Sequence, residues 1–388
     1  MNKQRIAALI QFAIPDNNLG YKAYSWFRIK QIQNRLVGTT NNEFTFDEKK
    51  QIVKAYSHKH KKEFRKLSKI ITDILSNSST ERDYNTIDEY WYDIAFYNIV
   101  YGFLPEEYIC YEFDHKNKEE RLQFISDSER SILIHRVNNV KGIRVFDNKA
   151  LTFQKYKEYY GRDCIYIKDK ADFNNFRQFI SNHYAFVQKN VYEAKGSGVR
   201  LVFSEKIDEN YFETLLRSGP YLLEEVVHQS SIMSSFNASS VNTIRVITFK
   251  VNNEIIIPYT FMKAGRHGSF VDNGGAGGLL IGVNAQTGII DADGISELNE
   301  KFPVHPDSKV RFKGSQLPDW EGLMSLSKKV SAMEENLGII GWDFAHTDKG
   351  WVIIEGNAGT QFIGPQSVYK IGLRSEIHDY LSKMQLII

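Results

Sequence analysis

The run GWDFAHTDKGWVIIEGNAG, residues 341–359, decides how this chain is read. Its centre, Asp348-Lys-Gly350, is a turn signal. Two strands joined there set Asp343 opposite Glu355, and Asn357 follows on the same side of an extended backbone. Three hard oxygen donors then share a small volume. Such a set suits magnesium carrying nucleotide phosphates rather than zinc or iron. The alternative for the two acids is a pair of exposed strand-end carboxylates. The glycines flanking Asn357 weigh against it, because they let the backbone approach a ligand closely.

Working outward, Val187-Gln-Lys189 reads as a strand that leads into Glu193-Ala-Lys195-Gly196-Ser197-Gly198-Val199. A Gly-Ser-Gly loop can wrap phosphate oxygens with backbone N–H groups, although order and spacing are not those of a Walker A loop. A lone flexible turn is the commoner meaning. Lys189 strengthens the phosphate reading, since it sets a fixed cation beside a mobile loop. Tyr221-Leu-Leu-Glu224-Glu225-Val226-Val227-His228 is an apolar strand ending in two acids. It fits a hinge that offers backbone groups to an adenine edge, or a strand with solvated acids at its rim. Asn242-Thr-Ile-Arg245 opens another strand, and Arg266 precedes the glycine-rich run Asp272-Asn273-Gly-Gly-Ala-Gly-Gly278. Arg245 and Arg266 suit a triphosphate or a developing oxyanion, or else structural ion pairs.

The remaining texture is α+β. The first 110 residues read as helical, with capping patterns at Thr45-Phe-Asp-Glu48 and Thr86-Ile-Asp-Glu89, and after about residue 140 the texture changes to short strands and glycine turns. The basic run at 54–69 reads as a solvated helix face. Residues 244–262 read as a hairpin turning at Asn252-Asn253, 279–283 and 289–290 as a strand pair, and 319–336 as a helix stopped by Gly338. Strands and helices mix without βαβ alternation, which disfavours a doubly wound sheet.

Composition is that of an ordinary folded protein: 388 residues, 42% apolar, 25% charged, formal charge +2. That charge gives no general push toward nucleic acid or an anionic membrane. Cys110 and Cys164 make no disulfide framework and fit a reducing cytoplasm. The N-terminal apolar run, interrupted by Gln11, is too short for a transmembrane segment. It reads as the start of an amphipathic helix, with a membrane-surface contact as the alternative.

The ordered set of Lys149, Lys189 with its Lys-Gly-Ser-Gly loop, Leu-Leu-Glu-Glu-Val-Val, Asn-Thr-Ile-Arg, Arg266 with Asn273-Gly-Gly, Gly-Trp-Asp and Ile-Glu-Gly-Asn resembles the ATP-grasp superfamily. It looks most like the sugar-transfer-associated branch. It is also similar in part to ribosomal-protein glutamate ligases and tubulin–tyrosine ligase relatives. The resemblance spans about residues 85–370 and implies two α+β lobes clasping ATP. The expected regions are a helical one (1–140), a small lobe (141–225) and a large lobe (226–388). Lys149 and Lys189 would meet the nucleotide phosphates, and Lys195, Gly196, Ser197 and Gly198 would form the lid. Glu224, Glu225, Val226 and Val227 would be the hinge. Asp343, Glu355 and Asn357 would hold two magnesium ions, and Arg266, with Arg245 and Asn273, would serve the chemistry. Residues 228–237 lack the acid that many relatives use for the ribose, which leaves that task to Glu225 or polar neighbours.

The expected activity is a carboxylate–amine ligation through an acyl phosphate. The partners are a small or sugar-linked carboxylate and an amine such as an amino acid, in surface-polysaccharide synthesis. The competing expectations are a kinase acting on a hydroxyl and a non-catalytic nucleotide-binding partner of a glycosyltransferase.

Overall fold

The computed structural model describes residues 11, 13–38, 43–77, 86–193, 198–208, 210–270, 272 and 277–384. Strands β1 (Cys164–Ile167), β2 (Ala185–Asn190), β3 (Val199–Phe203) and β4 (Tyr221–Glu225) form one antiparallel sheet in the order β1-β4-β2-β3. A larger sheet follows. It contains β5 (Thr243–Val251), β6 (Glu254–Ala264), β7 (Leu279–Val283), β8 (Ile290–Ile295), β9 (Lys301–Phe302), β10 (Ile339–Thr347) and β11 (Gly350–Asn357). Its order is β11-β10-β5-β6-β7-β8-β9, again all antiparallel.

The β5–β6 hairpin turns where the sequence says it should. Asn252 and Asn253 both adopt left-handed backbone, φ 50 and 66, which a two-residue hairpin turn compatible with strand twist needs. The β10–β11 hairpin contains a subtler feature. Counting from its turn, Thr347 pairs with Gly350 and Phe344 with Ile353, so unbroken register would set Asp343 against Ile354. A bulge between Asp343 and Phe344 leaves Ile354 unpaired, and Asp343 faces Glu355 as expected.

The main apolar cluster runs beneath the large sheet. Helix Trp320–Ala332 supplies Trp320, Leu323 and Val330. Helices Val140–Phe146 and Lys149–Tyr156 supply Ile143, Phe146, Ala150, Phe153 and Tyr156. These two helices precede the small sheet in sequence but pack with the large one. Trp342 lies at the centre, fully buried, edge-on to Phe146 and Tyr156, with its indole N–H donated to Ser331 Oγ at 2.8 Å. The helix expected over 319–336 ends at Ala332. Beyond it Glu334 turns inward, is buried and meets Lys155, so the chain leaves the helix before Gly338.

Among the described residues of the N-terminal region, helices Phe46–Lys59, Lys61–Asn77 and Ile87–Tyr101 form an aromatic-rich core of their own. Thr45 and Glu48 make the capping box, and Thr86 caps its helix through Glu89 N–H. The basic run breaks at His60, and its lysines are exposed on both flanking helices. Tyr90, Tyr97 and Tyr101 are buried in the core. Most of the expected N-terminal helix start, residues 1–10 and 12, lies outside the described residues.

Replacing Trp342 by Ala removes the ring on which three elements close. We expect a loss of about 3–5 kcal/mol, read from a urea unfolding curve. A loss below about 1 kcal/mol would show that the cluster does not depend on it.

Candidate active site

On one face of the large sheet, register and alternation assemble a charged row. Asp343 pairs across strands with both Glu355 and Arg245, and Thr243 pairs with Lys263. Side chains in paired positions project to the same side. Arg245 grips Asp343 with two parallel bonds, Nε to Oδ1 at 2.6 Å and Nη2 to Oδ2 at 2.8 Å. Lys263 Nζ stands 3.1 Å from Oδ2 of the same carboxylate. Burial by itself would raise the Asp343 pKa, but Arg245 and Lys263 outweigh it and hold it at about 2. Behind them lies Asp272, hydrogen-bonded to Thr243. Its carboxyl is pushed up by burial, with Lys263 opposing and Asp343 adding repulsion.

The small sheet contributes a second charged group. Glu224 is buried at the end of β4, with Lys189 Nζ at 2.8 Å and Arg162 Nη2 at 2.6 Å. Burial pushes the Glu224 carboxyl up, yet Arg162 and Lys189 win and hold it below its ordinary value. Lys149 joins the two halves. It donates to the Glu193 carbonyl at 2.6 Å and stands 3.1 Å from Glu355.

Between the sheets is a cavity of about 650 Å³. Its walls include Lys149, Lys189, Glu224, Glu225, Val226, Val227, Arg245, Asp343, Glu355 and Asn357. These sequence-selected residues, scattered over more than half the chain, thus surround one space. Arg266 does not line it. Its guanidinium lies over Phe302 at 5.2 Å and bonds the Gly277 carbonyl at 2.5 Å and Glu300 at 3.5 Å, which fits the ion-pair alternative. Arg245, too, is an ion-pair partner here, but inside the cavity. Lys195, Gly196, Ser197 and Asn273 lie outside the described residues. Gly198 borders the loop base, where a Cβ would run into Glu193.

The sequence family described as sugar-transfer associated ATP-grasp matches residues 128–380. The chain belongs to that family. Among solved structures, an N5-carboxyaminoimidazole ribonucleotide synthetase in its ADP complex is similar at 10% identity and TM-score 0.38, over 58% of this chain and 48% of that one. D-alanine–D-alanine ligase from Helicobacter pylori is similar at 14% and 0.38, over 67% and 66%. The ATP-grasp ligase PsnB, complexed with its minimal precursor, Mg and ADP, is similar at 13% and 0.38, over 66% and 67%. The chain spans about half the length of the ribonucleotide synthetase. No curated protein matches it in sequence.

In this ATP-grasp protein the magnesium donor set is chemically suitable. Two carboxylates and an amide offer hard oxygens, and the Asn357 amide nitrogen is buried with no partner, so its amide is not committed elsewhere. Among the described residues no three His, Cys, Asp or Glu side chains converge. Asn357 would therefore complete the set. Glu355 is the most open donor, 35% exposed, while both Asp343 oxygens already accept from cations.

Sequence reasoning missed Lys263, Asp272, Arg162 and Arg130. Lys263 was out of reach, because counting from the Asn252-Asn253 turn sets it opposite Asn242, and only a register shift between Ile247 and Phe249 brings it opposite Thr243. Arg162 and Arg130 had no local signal. Arg130 lines the cavity, donates to Asp127 at 2.5 Å and to the Gly359 carbonyl at 3.2 Å, and leaves its Nε without a partner.

Glu224→Gln leaves Lys189 and Arg162 without their shared anion. We expect a loss of about 3–5 kcal/mol at neutral pH, measured by denaturant unfolding. Since the folded-state pKa is depressed, the wild-type advantage is complete above about pH 4.3. It vanishes as pH falls through the lower folded-state value. A pH-independent difference between the two proteins would contradict this account.

Proposed function

We propose that this ATP-grasp protein is a carboxylate–amine ligase that works through an acyl phosphate. Its substrate is a surface-polysaccharide precursor, such as a uronic acid that receives an amino acid, and it acts in the cytoplasm. The observation that supports the reading best is the cavity in which Lys149, Lys189, Arg245 and Lys263 meet Asp343, Glu355 and Asn357. With Arg130 the walls carry five cations, against eight carboxylates (Asp127, Glu193, Glu224, Glu225, Asp272, Glu297, Asp343 and Glu355), so they are acidic on balance. A triphosphate entering such a space brings negative charge that the protein does not neutralise alone. Magnesium supplies that neutralisation when bound, and Asp343, Glu355 and Asn357 are the residues that would hold it.

The chain's own side chains would do the positioning. Lys189 is immobilised by Glu224 on a rigid strand, a fixed cation for a phosphate oxygen. Lys149 ties Glu193, just beyond β2, to the metal-side acid Glu355. Val226 and Val227 present backbone and apolar surface to the base. Arg245, held in the cavity wall by its two bonds to Asp343, would neutralise charge that develops during transfer. The γ-phosphoryl group passes to a carboxylate oxygen as ADP leaves. The amine then adds to the acyl carbon, loses a proton, and inorganic phosphate departs.

Glu355→Gln should cut turnover roughly 100-fold, with little change in melting temperature because the side chain is partly exposed. Lys149→Ala should lose most of the thermal stabilisation that saturating Mg·ATP gives, about 2.7 kcal/mol at 100-fold excess over Kd. ADP release and product mass, followed over a panel of uronic acids and amino acids, check the reaction. A stable phosphorylated product formed without amine would make the protein a hydroxyl kinase. ATP binding with no turnover on any pair would favour the non-catalytic nucleotide-binding partner.

A further inference from the structure

Among the described residues, helix Asn18–Gln33 is docked by one face only. Tyr21 is buried under Arg144, whose guanidinium lies 5.9 Å from the ring, and Tyr24 meets His135 edge-on at 6.0 Å. Leu19, Trp26 and Phe27 point outward and are 80%, 63% and 56% exposed. With Lys22, Ala23 and Lys30 they follow the spacing of a single helical face, and all six are exposed. An isolated exposed apolar side chain needs no explanation, but three on one stripe of a rigidly held helix do.

The charge on this helix is one-sided. Its sequence carries Lys22, Arg28 and Lys30 and no acid, although the whole chain is nearly neutral at +2. Asp16 is the acid that adjoins it, just ahead of the Asn17 cap. Lysines interleaved with Trp, Phe and Leu are unlike a protein–protein interface, whose core is depleted in lysine. They match a helix lying in a lipid headgroup layer, where rings and aliphatic chains sink to the acyl boundary and lysines stay with phosphates. Among the described residues no helix is long and apolar enough to cross a membrane, so any such contact is peripheral.

We propose that the outer face of helix Asn18–Gln33 is a docking surface for an anionic lipid bilayer. Leu19, Trp26 and Phe27 insert, and Lys22 and Lys30 pair with lipid phosphates. This inference does not depend on the ligase reading.

Co-sedimentation of the full chain with phosphatidylglycerol-containing vesicles tests it, with pure phosphatidylcholine vesicles as the neutral comparison. The wild type should pellet with the anionic vesicles, less so at high salt, and poorly with the neutral ones. Trp26→Ser with Phe27→Ser should weaken vesicle binding roughly tenfold or more, and Lys22→Glu with Lys30→Glu should also weaken it. All four side chains are exposed, so melting temperature and its response to Mg·ATP should stay at wild-type values. Failure of the wild type to pellet, or pelleting of the aromatic variant like the wild type, overturns the proposal. So does a concentration-dependent dimer that the aromatic variant abolishes in light scattering, because a second copy would then be the occupant.

Discussion

The bidentate grip of Arg245 on Asp343 is the contact around which the rest of the molecule is arranged. Asp343 is buried and Arg245 half-buried on adjacent strands of the large sheet, and the carboxylate would not be tolerable there without a cation. Lys263 adds a second cation to the same carboxylate, and Asp272 answers Lys263 at 4.0 Å. Such a chain of alternating charges removes rotamer freedom before any ligand arrives. It is the preorganisation that a phosphate-handling site requires.

A comparable group on the small sheet, Lys189–Glu224–Arg162, does the same for the opposing wall, and Arg162 extends it to the Ile353 carbonyl of β11 at 2.7 Å. The two sheets are therefore linked by buried polar contacts as well as by the continuous apolar cluster that includes Leu222 and Val191. Lys149 makes the third link, through Glu193 and Glu355. The cavity is open because the apolar side chains of both sheets pack behind it, while their charged residues face each other.

The helical N-terminal region has its own aromatic core, yet Asp127 and Arg130 at the start of the next helix reach the cavity wall. Arg374 bonds the Phe124 carbonyl at 3.0 Å and Glu129 at 2.5 Å, fastening that helix to the C-terminal one. The helical region is thus part of the frame that supports the site.

Much of this was legible in the sequence alone. Turn residues are short-range signals, so Asn252-Asn253 and Asp348-Lys-Gly350 announced both hairpins, and the second was read as setting Asp343 opposite Glu355. Capping chemistry is equally local, which is why Thr45 and Thr86 were readable. The bulge at Ile354 was not. Strict counting from the turn would have put Asp343 opposite Ile354, and only the packing around Trp342 and the β5 neighbour shows where the register slips. Nor could the sequence say that Arg266 stacks on Phe302 outside the cavity, or that Arg162, 62 positions before Glu224, is its ion partner. Those facts depend on where separate elements come to rest against one another. Local propensity determines the strands and their turns, but the pairing of distant charges is settled by burial, which exists only once the two sheets have closed.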